Sequence, residues 1–368
     1  MSVPLSALSG ASVGAWFRSN YPACKALFDL NCHSLTKYPW SKQSWALPMD
    51  ENLTVDTVWI GSPEAESVLV LMSGTHGVEG YCGSAAQSFL LNGLQHNWLA
   101  LPESTAVLMV HALNPWGMQW ARRCDQDGVD LNRNFVDFEN PLPVHPSYEA
   151  LLTLLQIPDA SMRETELQRF AEGLGQEEFE RAFSGGQYST RWAPFYGGHK
   201  AAFSNHVVNN IIDHWQLEGR CLVVIDIHSG LGPWAFGELI SDHPIESSGD
   251  RFAENLFGSA IAATELGESY SVTKHGLLDY RWHSLMQNEG CFLTLEFGSF
   301  GTKSLFQVLL DEHLFWKGWK QPEASDSGYS LQRKAMLNHF CPNDSLWQQA
   351  VLFKSWQVAE KILSMSAS

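Results

Sequence analysis

The stretch Ser67-Val-Leu-Val-Leu-Met-Ser-Gly-Thr-His-Gly-Val-Glu-Gly80 decides the predicted fold of this chain. Its apolar run, residues 68–72, is typical of a strand that is buried on both faces of an α/β sheet. The turn that follows contains three glycines and, between them, His76 and Glu79. Open α/β sheets bind ligands beyond the carboxyl ends of their strands. An imidazole and a carboxylate three residues apart in that place can both reach one divalent metal ion, and we predict zinc.

The composition predicts a globular protein and argues against one class of partner. Of the 368 residues, 45% are hydrophobic and 17% are charged, which is typical of a chain that buries a core. The formal net charge of −17 disfavours nucleic acid, because binding to phosphates requires clustered lysine and arginine. The seven cysteines form no C-x-x-C pair, and this odd number favours a reducing compartment over a disulfide framework.

The sequence also predicts a cytoplasmic location and no membrane partner. Residues 1–14 lack the basic segment and the long apolar segment of a signal peptide. No stretch of the chain approaches the roughly 18 uninterrupted apolar residues that a membrane-spanning helix requires.

Alternating strand and helix patterns predict one α/β domain over residues 1–368, with a mostly parallel or mixed twisted sheet flanked by helices. Apolar runs predict strands at residues 44–60, 67–72, 106–111, 221–227 and 291–296. Amphipathic spacing predicts helices at residues 13–30, 84–94, 160–183, 204–217, 250–264, 304–317 and 345–363. Prolines weaken the pattern over residues 136–200, which we interpret as an excursion inserted beside the active face.

Two further predicted strands end in side chains that suit a metal centre. His228 follows one of these strands, and Glu296 lies at the end of the other. Two histidines and a glutamate bind zinc in hydrolytic sites that leave a position for water, and Glu296 can then act as the base. On spacing alone, the alternative that His76 and His228 are ordinary turn histidines stays open. The same spacing recurs in a polar loop as His243-x-x-Glu246, to which we assign no role.

The segment 114–135 adds amide and guanidinium groups near the same edge of the sheet. It contains Asn114, the pair Arg122 and Arg123, and the run Asp130-Leu-Asn-Arg-Asn-Phe135. Arginine offers a planar fork that matches a carboxylate. A hydrolase that acts on a carboxylate-ended substrate needs one such fork and a second cation for the developing oxyanion. A salt-bridged loop is the alternative, but it does not explain so many donors in one segment.

Asp226 precedes His228 by two residues, so the two side chains point to the same face of a regular strand. Two interpretations of Asp226 stay open: it orients the histidine, or it is simply a buried, hydrogen-bonded group.

Together these motifs resemble the zinc carboxypeptidase family. The resemblance covers about residues 55–300 and comprises His76-x-x-Glu79, Asn114-Pro-x-Gly117, Arg123 with Gly128-Val-Asp-Leu-Asn-Arg-Asn-Phe135, His228, and Glu296 in Leu-Thr-Leu-Glu. The form Ser-Gly-Thr-His-Gly-Val-Glu-Gly looks most like a largely uncharacterised bacterial branch of that family. The related aspartoacylase and succinylglutamate desuccinylase branch shares the His-Gly-x-Glu and Asp-Leu-Asn-Arg elements.

The resemblance implies a catalytic centre with one zinc ion. His76, Glu79 and His228 would bind the ion. Glu296 would act as general base and later as the acid that protonates the leaving amine. Arg123 would polarise the scissile carbonyl, since its spacing to the Gly-Val-Asp-Leu-Asn-Arg run fits better than that of its neighbour.

The resemblance also implies how the substrate and one ligand are held. Asn132 and Arg133 would bind the terminal carboxylate, and Asp130 would orient His76. Carboxypeptidases place a mobile tyrosine upstream of the base, and Tyr280 is the nearest candidate here, at a shorter spacing than usual.

Three functions follow as hypotheses. The first is a zinc-dependent hydrolase that cleaves a C-terminal amide bond in a peptide or peptide-like substrate. The second is deacylation of an N-acyl amino acid, as in the aspartoacylase branch. The third is a zinc-binding protein that uses the cleft only for recognition, which the presence of Glu296 disfavours because a binding protein needs no base. The expected partner is a peptide or acyl amino acid with a free carboxylate.

Overall fold

The computed structural model describes residues 3, 5–272, 274–286, 289–317 and 326–365, which form a single α/β domain around one sheet. The sheet contains eight strands in the order β1-β2-β4-β3-β5-β8-β6-β7. In chain order the strands are β1 Trp40–Leu47, β2 Asp50–Ile60, β3 Ser67–Ser73, β4 Thr105–His111, β5 Cys221–Ser229, β6 Gly237–Ser241, β7 Ile261–Ala263 and β8 Gly290–Phe297. The predicted α/β class with a mixed sheet is confirmed.

The centre of the sheet is parallel, and it joins each flank through antiparallel pairs, while the edge pair β6–β7 is parallel. Strands β4, β3, β5 and β8 run parallel to their neighbours in this group. The pairs β1–β2, β2–β4 and β6–β8 are antiparallel. The four central strands therefore end at one edge of the sheet, where a ligand site is expected in this kind of fold.

Helices cover both faces of the sheet. In chain order they are α1 Gly10–Val13, α2 Tyr21–Ser34, α3 Gly80–Gln95, α4 Pro115–Trp120, α5 Pro146–Leu155, α6 Ala160–Leu174, α7 Gln176–Ser184, α8 Phe203–His214, α9 Ser248–Phe257, α10 Asp279–His283, α11 Thr302–Trp316, α12 Ser327–Phe340 and α13 Ser345–Met365. No helix in the described ranges combines the length and the hydrophobicity needed to cross a membrane.

Alternate residues of the central strands point into two separate cores. Leu69 and Leu71 face a core formed with α2, α3, α9 and α13. Val68, Val70 and Met72 face a second core, which contains residues of α8 and α10. Burial on both faces explains why these strands have continuous apolar runs and no alternation of polar and apolar residues.

Two helix boundaries differ from the prediction because of local signals. The first long helix begins at Tyr21 and not at residue 13, because the Asn20 side chain accepts a hydrogen bond from the Ala23 N–H at 2.9 Å and Pro22 lies in the first turn. The helix predicted over residues 250–264 ends at Phe257. Gly258 follows with φ of +59°, a left-handed conformation that favours glycine, and the short edge strand β7 comes next.

The segment 136–200 contains α5, α6 and α7. The predicted helix over residues 160–183 is divided at Gly175, where φ is +83°. Tyr148 and Phe183 of this segment join a third core with residues of α11 and α12, at the carboxyl edge of the sheet. Its interpretation as an inserted excursion stays a prediction.

Helix α3 offers two glycines that test how closely it packs on the sheet. A Cβ atom at Gly83 would lie 2.5 Å from Ser73 Cβ, whereas one at Gly93 would lie no closer than 3.5 Å to its neighbours. We expect Gly83→Ala to lower the free energy of unfolding by about 1–3 kcal/mol, because strand and helix would have to separate. Gly93→Ala should raise it by about 0.5–1 kcal/mol through helix propensity. Denaturant unfolding measures the free energy of unfolding of both variants. An equal increase in the two would contradict the close packing at Gly83.

Candidate metal centre

The register of the parallel strands brings residues from three chain segments together. Ser73 at the end of β3 pairs with Ile227 of β5, so His76 follows β3 beside the place where His228 lies. On the other side of β5, His228 pairs with Glu296 of β8. The backbone of the sheet thus sets the separation between the candidate ligand and the candidate base.

Glycine shapes the turn after β3 at two positions. Gly74 has φ of +70°, which favours a residue without a side chain. Gly77 lies so close to the next segment that a Cβ atom there would be 2.1 Å from the Gly117 carbonyl carbon. The N–H of Gly77 donates to the Arg123 carbonyl at 3.2 Å, which holds the turn in place. His76 and Glu79 therefore project from a fixed backbone.

Acceptor atoms of three side chains converge at this edge of the sheet. His76 Nδ1 lies 2.9 Å from Glu79 Oε1, and His228 Nδ1 lies 3.0 Å from Glu79 Oε2. The two Nδ1 atoms are 3.1 Å apart. All three side chains are at most 3% exposed. Among the described residues, this is the only group of three or more His, Cys, Asp and Glu side chains placed to hold a metal ion.

A carboxylate lies behind each imidazole. Asp130 Oδ1 is 3.1 Å from His76 Nε2, and Asp226 Oδ2 is 2.7 Å from His228 Nε2. In the neutral form of each histidine, these hydrogen bonds favour the tautomer that carries the proton on Nε2 and leaves the lone pair of Nδ1 pointing inward. Asp226 also accepts a hydrogen bond from Thr75 Oγ1 at 2.8 Å, so both of its interpretations apply: it is hydrogen-bonded in the core and it contacts the histidine.

This donor set fits a divalent metal ion. The two Nδ1 atoms and the two Glu79 oxygens, with separations of 2.9–3.1 Å between neighbouring side chains, repel one another unless a proton or a cation lies between them. Ligand atoms about 2 Å from a tetrahedral zinc ion lie roughly 3.3 Å from one another, close to the observed spacing. Imidazole nitrogen and carboxylate oxygen are ligands that zinc accepts, and carboxylates behind both histidines are the usual second layer of such a site.

The two glutamates of the site differ in their electrostatic surroundings. Burial would raise the pKa of Glu79, but attraction to His76 and His228 lowers it well below the usual range, so Glu79 is a carboxylate. Burial raises the pKa of Glu296 to about 8, and the negative charge of Glu79 contributes to this shift. Glu296 Oε1 accepts a hydrogen bond from the Leu231 N–H at 3.0 Å, and its side chain lines the cleft.

The adjacent arginines have different surroundings. Arg123 lines the cleft, where its Nε donates to Asp130 at 2.8 Å and its Nη1 donates to Glu79 at 3.2 Å. Arg122 is 1% exposed and pairs with Glu312 of α11, with its guanidinium carbon 4.5 Å from the centre of the Trp316 ring. Arg122 does not line the cleft, so Arg123 is the member of this pair that is placed to meet a substrate.

Asn132 and Arg133 also line the cleft, as a substrate contact requires. The Nε and Nη2 atoms of Arg133 donate to the Ser184 carbonyl at 3.1 and 2.7 Å, which fixes the plane of the guanidinium. Asn132 Oδ1 accepts a hydrogen bond from the Leu278 N–H at 2.8 Å. In the described part of the chain, no carboxylate forms an ion pair with Arg133.

Tyr280 is not brought into the cleft. Its ring is 41% exposed, and its hydroxyl donates to the Lys274 carbonyl at 3.1 Å. Tyr280 lies outside the residues that line the cleft but close enough to Arg133 to interact with it electrostatically, so its role as a substrate contact stays a prediction. Sequence reasoning missed Lys274, Asp242 and Tyr270, which do line the cleft. These residues lie in segments without periodicity or motif, and no local signal indicated them.

Comparisons with known proteins identify a sequence family and a fold. The family described as "Protein of unknown function (DUF2817)" matches residues 31–354. No curated protein matches the chain significantly. One similar structure is carboxypeptidase A from Helicoverpa armigera, with a TM-score of 0.51, 13% identity, and coverage of 94% of this chain and 74% of that one.

A second similar structure is bovine thrombin-activatable fibrinolysis inhibitor in complex with tick carboxypeptidase inhibitor. Its TM-score is 0.54 at 10% identity, and the match covers 95% of this chain and 97% of that one. The structure of thrombin activatable fibrinolysis inhibitor alone has a TM-score of 0.56 at 11% identity, and the match covers 98% of this chain and 76% of that one. The expected carboxypeptidase-like fold is confirmed, and at these identities the comparisons establish the fold alone.

The buried pair of Arg122 and Glu312 predicts a large effect on stability. We expect Glu312→Ala to lower the free energy of unfolding by about 3–5 kcal/mol, because it leaves a buried guanidinium without its carboxylate. The matched control is Glu177→Ala, which removes the carboxylate of an exposed pair with Arg181 on α7 and should change stability by less than about 0.5 kcal/mol. Denaturant unfolding measures both variants. Similar small losses in the two would contradict this account of Arg122.

Proposed function

The chain belongs to the DUF2817 family, and we propose that it is a zinc-dependent hydrolase that cleaves the C-terminal amide bond of a peptide or peptide-like substrate. The observation that carries this proposal is the position of Glu296. A buried carboxyl group that lines the cleft pairs, strand to strand, with a histidine of the three-residue acceptor cluster. A metal site that served structure alone needs four protein ligands and no such base.

In this proposal His76, Glu79 and His228 hold the zinc ion. When bound, zinc supplies Lewis acidity, which lowers the pKa of a water molecule toward ~7 and polarises a carbonyl group. Asp130 and Asp226 accept the outer N–H groups of the two histidines, which keeps the inner nitrogens unprotonated and correctly oriented.

Glu296 moves the protons in the proposed reaction. Its Oε1 is held by the Leu231 N–H, and its side chain lines the cleft beside His228. It can accept a proton from the attacking water and then transfer that proton to the nitrogen of the leaving amine.

Arg123 and Arg133 divide the recognition of the substrate. Arg133 is held by three hydrogen bonds to backbone carbonyls and not by a carboxylate, so we assign its charge and its two remaining N–H groups to a terminal carboxylate, with the Asn132 side chain beside it. Arg123 is held on two sides by Asp130 and Glu79 and presents its remaining N–H groups to the scissile carbonyl.

Deacylation of an N-acyl amino acid is the second candidate. Glu180 and Ser184 of α7, together with Leu305 and Phe306 of α11, add walls to the cleft, which suits a small substrate. Small N-acyl amino acids and longer peptides, assayed side by side, discriminate the two activities. Trimming of peptides without any turnover of acyl amino acids would eliminate this second candidate.

Replacement of the proposed base tests the mechanism. We expect Glu296→Gln to lower kcat by about 10²–10⁴-fold, because the amide keeps the shape of the side chain but cannot accept a proton. Zinc content by metal analysis and the thermal midpoint should match those of the wild type. Glu246→Gln, at an exposed loop position, is the control and should retain activity. A zinc-loaded Glu296→Gln protein that hydrolyses amides at the wild-type rate would exclude the proposal.

The carboxylate behind His228 predicts a change in metal affinity. Asp226→Asn replaces a charged acceptor with a neutral one, so the histidine loses orientation and basicity. We expect zinc affinity to fall by about 10–100-fold, measured by competition with a chelating dye. Asp213→Asn, at an exposed position of α8, should leave the affinity unchanged. Equal affinities for all three proteins would show that Asp226 does not act on the metal site.

A further inference from the structure

One wall of the cleft is formed by residues 274–278, between β7 and α10. Hydrogen bonds fix this wall from two sides. The His275 N–H donates to the Gly185 carbonyl at 3.0 Å, and the Leu278 N–H donates to Asn132 Oδ1 at 2.8 Å. The Lys274 carbonyl accepts from the Tyr280 hydroxyl at 3.1 Å. The backbone of Lys274 is thus held against the segment that carries Arg133.

The Lys274 side chain lines the cleft as a cation. Its Nζ donates to Ser271 Oγ, and no carboxylate among the described residues forms an ion pair with it. Burial lowers the pKa of Lys274 to about 8, while Asp242 opposes this shift, so the ammonium is mostly protonated at neutral pH. An ammonium in such surroundings has lost water and gained only one neutral acceptor.

The three cations described in the cleft differ in their hydrogen-bond and ion-pair partners. Arg123 contacts two carboxylates, Glu79 and Asp130. Arg133 donates to backbone carbonyls, and Lys274 donates to a hydroxyl. Two positive charges in one cleft therefore lack a direct carboxylate partner within the described chain. Arg133 is buried and Lys274 is partly buried, so neither charge is fully hydrated, and this arrangement favours a ligand with two negative groups.

We propose that Lys274 is a specificity-determining residue that selects substrates whose terminal residue carries an acidic side chain. This inference rests on the proposed function, in which Arg133 binds the terminal carboxylate. Lys274 then binds the second carboxylate, that of the side chain. Ile240, Val272 and Leu277 line the same cleft and provide apolar surface for the methylene groups between the two charges.

Asp242 gives the proposal a reciprocal test. It lines the cleft and is the carboxylate with the largest electrostatic effect on Lys274 after burial, but it does not form an ion pair with the ammonium. A carboxylate in this position repels an acidic side chain and weakens the attraction of Lys274 for it. Removing the charge of Asp242 should therefore strengthen the preference for acidic substrates.

The experiment uses the zinc-loaded full chain and N-acylated dipeptides that differ only in the last residue. Glutamate, glutamine and leucine are compared at that place, together with the corresponding N-acetyl amino acids. Glutamate and glutamine have the same shape, so the ratio of their kcat/KM values isolates the charge. We expect a ratio of about 10 or more in favour of glutamate.

Variants test whether Lys274 causes this preference for glutamate over glutamine. We expect Lys274→Met to reduce it by about 10–100-fold, chiefly through the KM of the glutamate substrate, and Lys274→Arg to retain part of it. Asp242→Asn should raise the ratio. Lys361→Met, the same substitution at an exposed position of α13, is the matched control and should leave the ratio unchanged.

The outcomes separate this inference from the proposed function. If no amide is hydrolysed, the proposed function itself fails. If amides are hydrolysed but glutamine is preferred to glutamate, Lys274 does not select acidic residues. A uniform loss of kcat for all substrates in Lys274→Met would also overturn the proposal, because it would indicate a role in the reaction. If Lys274→Met does not fold by circular dichroism, an unchanged ratio in Asp242→Asn would overturn it instead.

Discussion

The structure depends on the compensation of negative charge at one buried edge of the sheet. Glu79, Asp130, Asp226 and Glu296 are each at most 8% exposed, and they surround two imidazoles. Carboxylates cannot gather in a protein interior without cations or hydrogen-bond donors. A single guanidinium, that of Arg123, links Asp130 to Glu79. The remaining charge is what makes the site receptive to a metal ion.

Much of the fold could be predicted because local patterns record it. The strands β3, β4, β5 and β8 are covered by helices on both faces, and such strands appear as uninterrupted apolar runs. The short flanking strands β6 and β7 left no such pattern, because only five and three residues take part in them. The divided helix at Gly175 was missed as well, since one glycine does not by itself end a helical pattern.

The site could be predicted where its residues lie at the ends of strands. His76, His228 and Glu296 follow or end apolar runs, so the parallel arrangement alone brings them together. The sequence could not distinguish Arg122 from Arg123 by chemistry, because their difference comes from Glu312, 190 residues away on α11. Nor could it place Tyr280 or Lys274, because the 274–278 segment is held by hydrogen bonds to Asn132 and Gly185, which are distant in the sequence.

The pairing of His228 with Glu296 across β5 and β8 has a consequence for how the proposed hydrolase could diversify. Adjacent strands cannot slide by one residue without turning every side chain to the opposite face. In the proposed function, one metal ligand and the base are therefore fixed by the central strands of the sheet. The 274–278 segment lies outside the sheet, and it can exchange its side chains without disturbing that pair. Reactivity and selectivity are thus separable, and new substrate ranges can arise on one unchanged reaction centre.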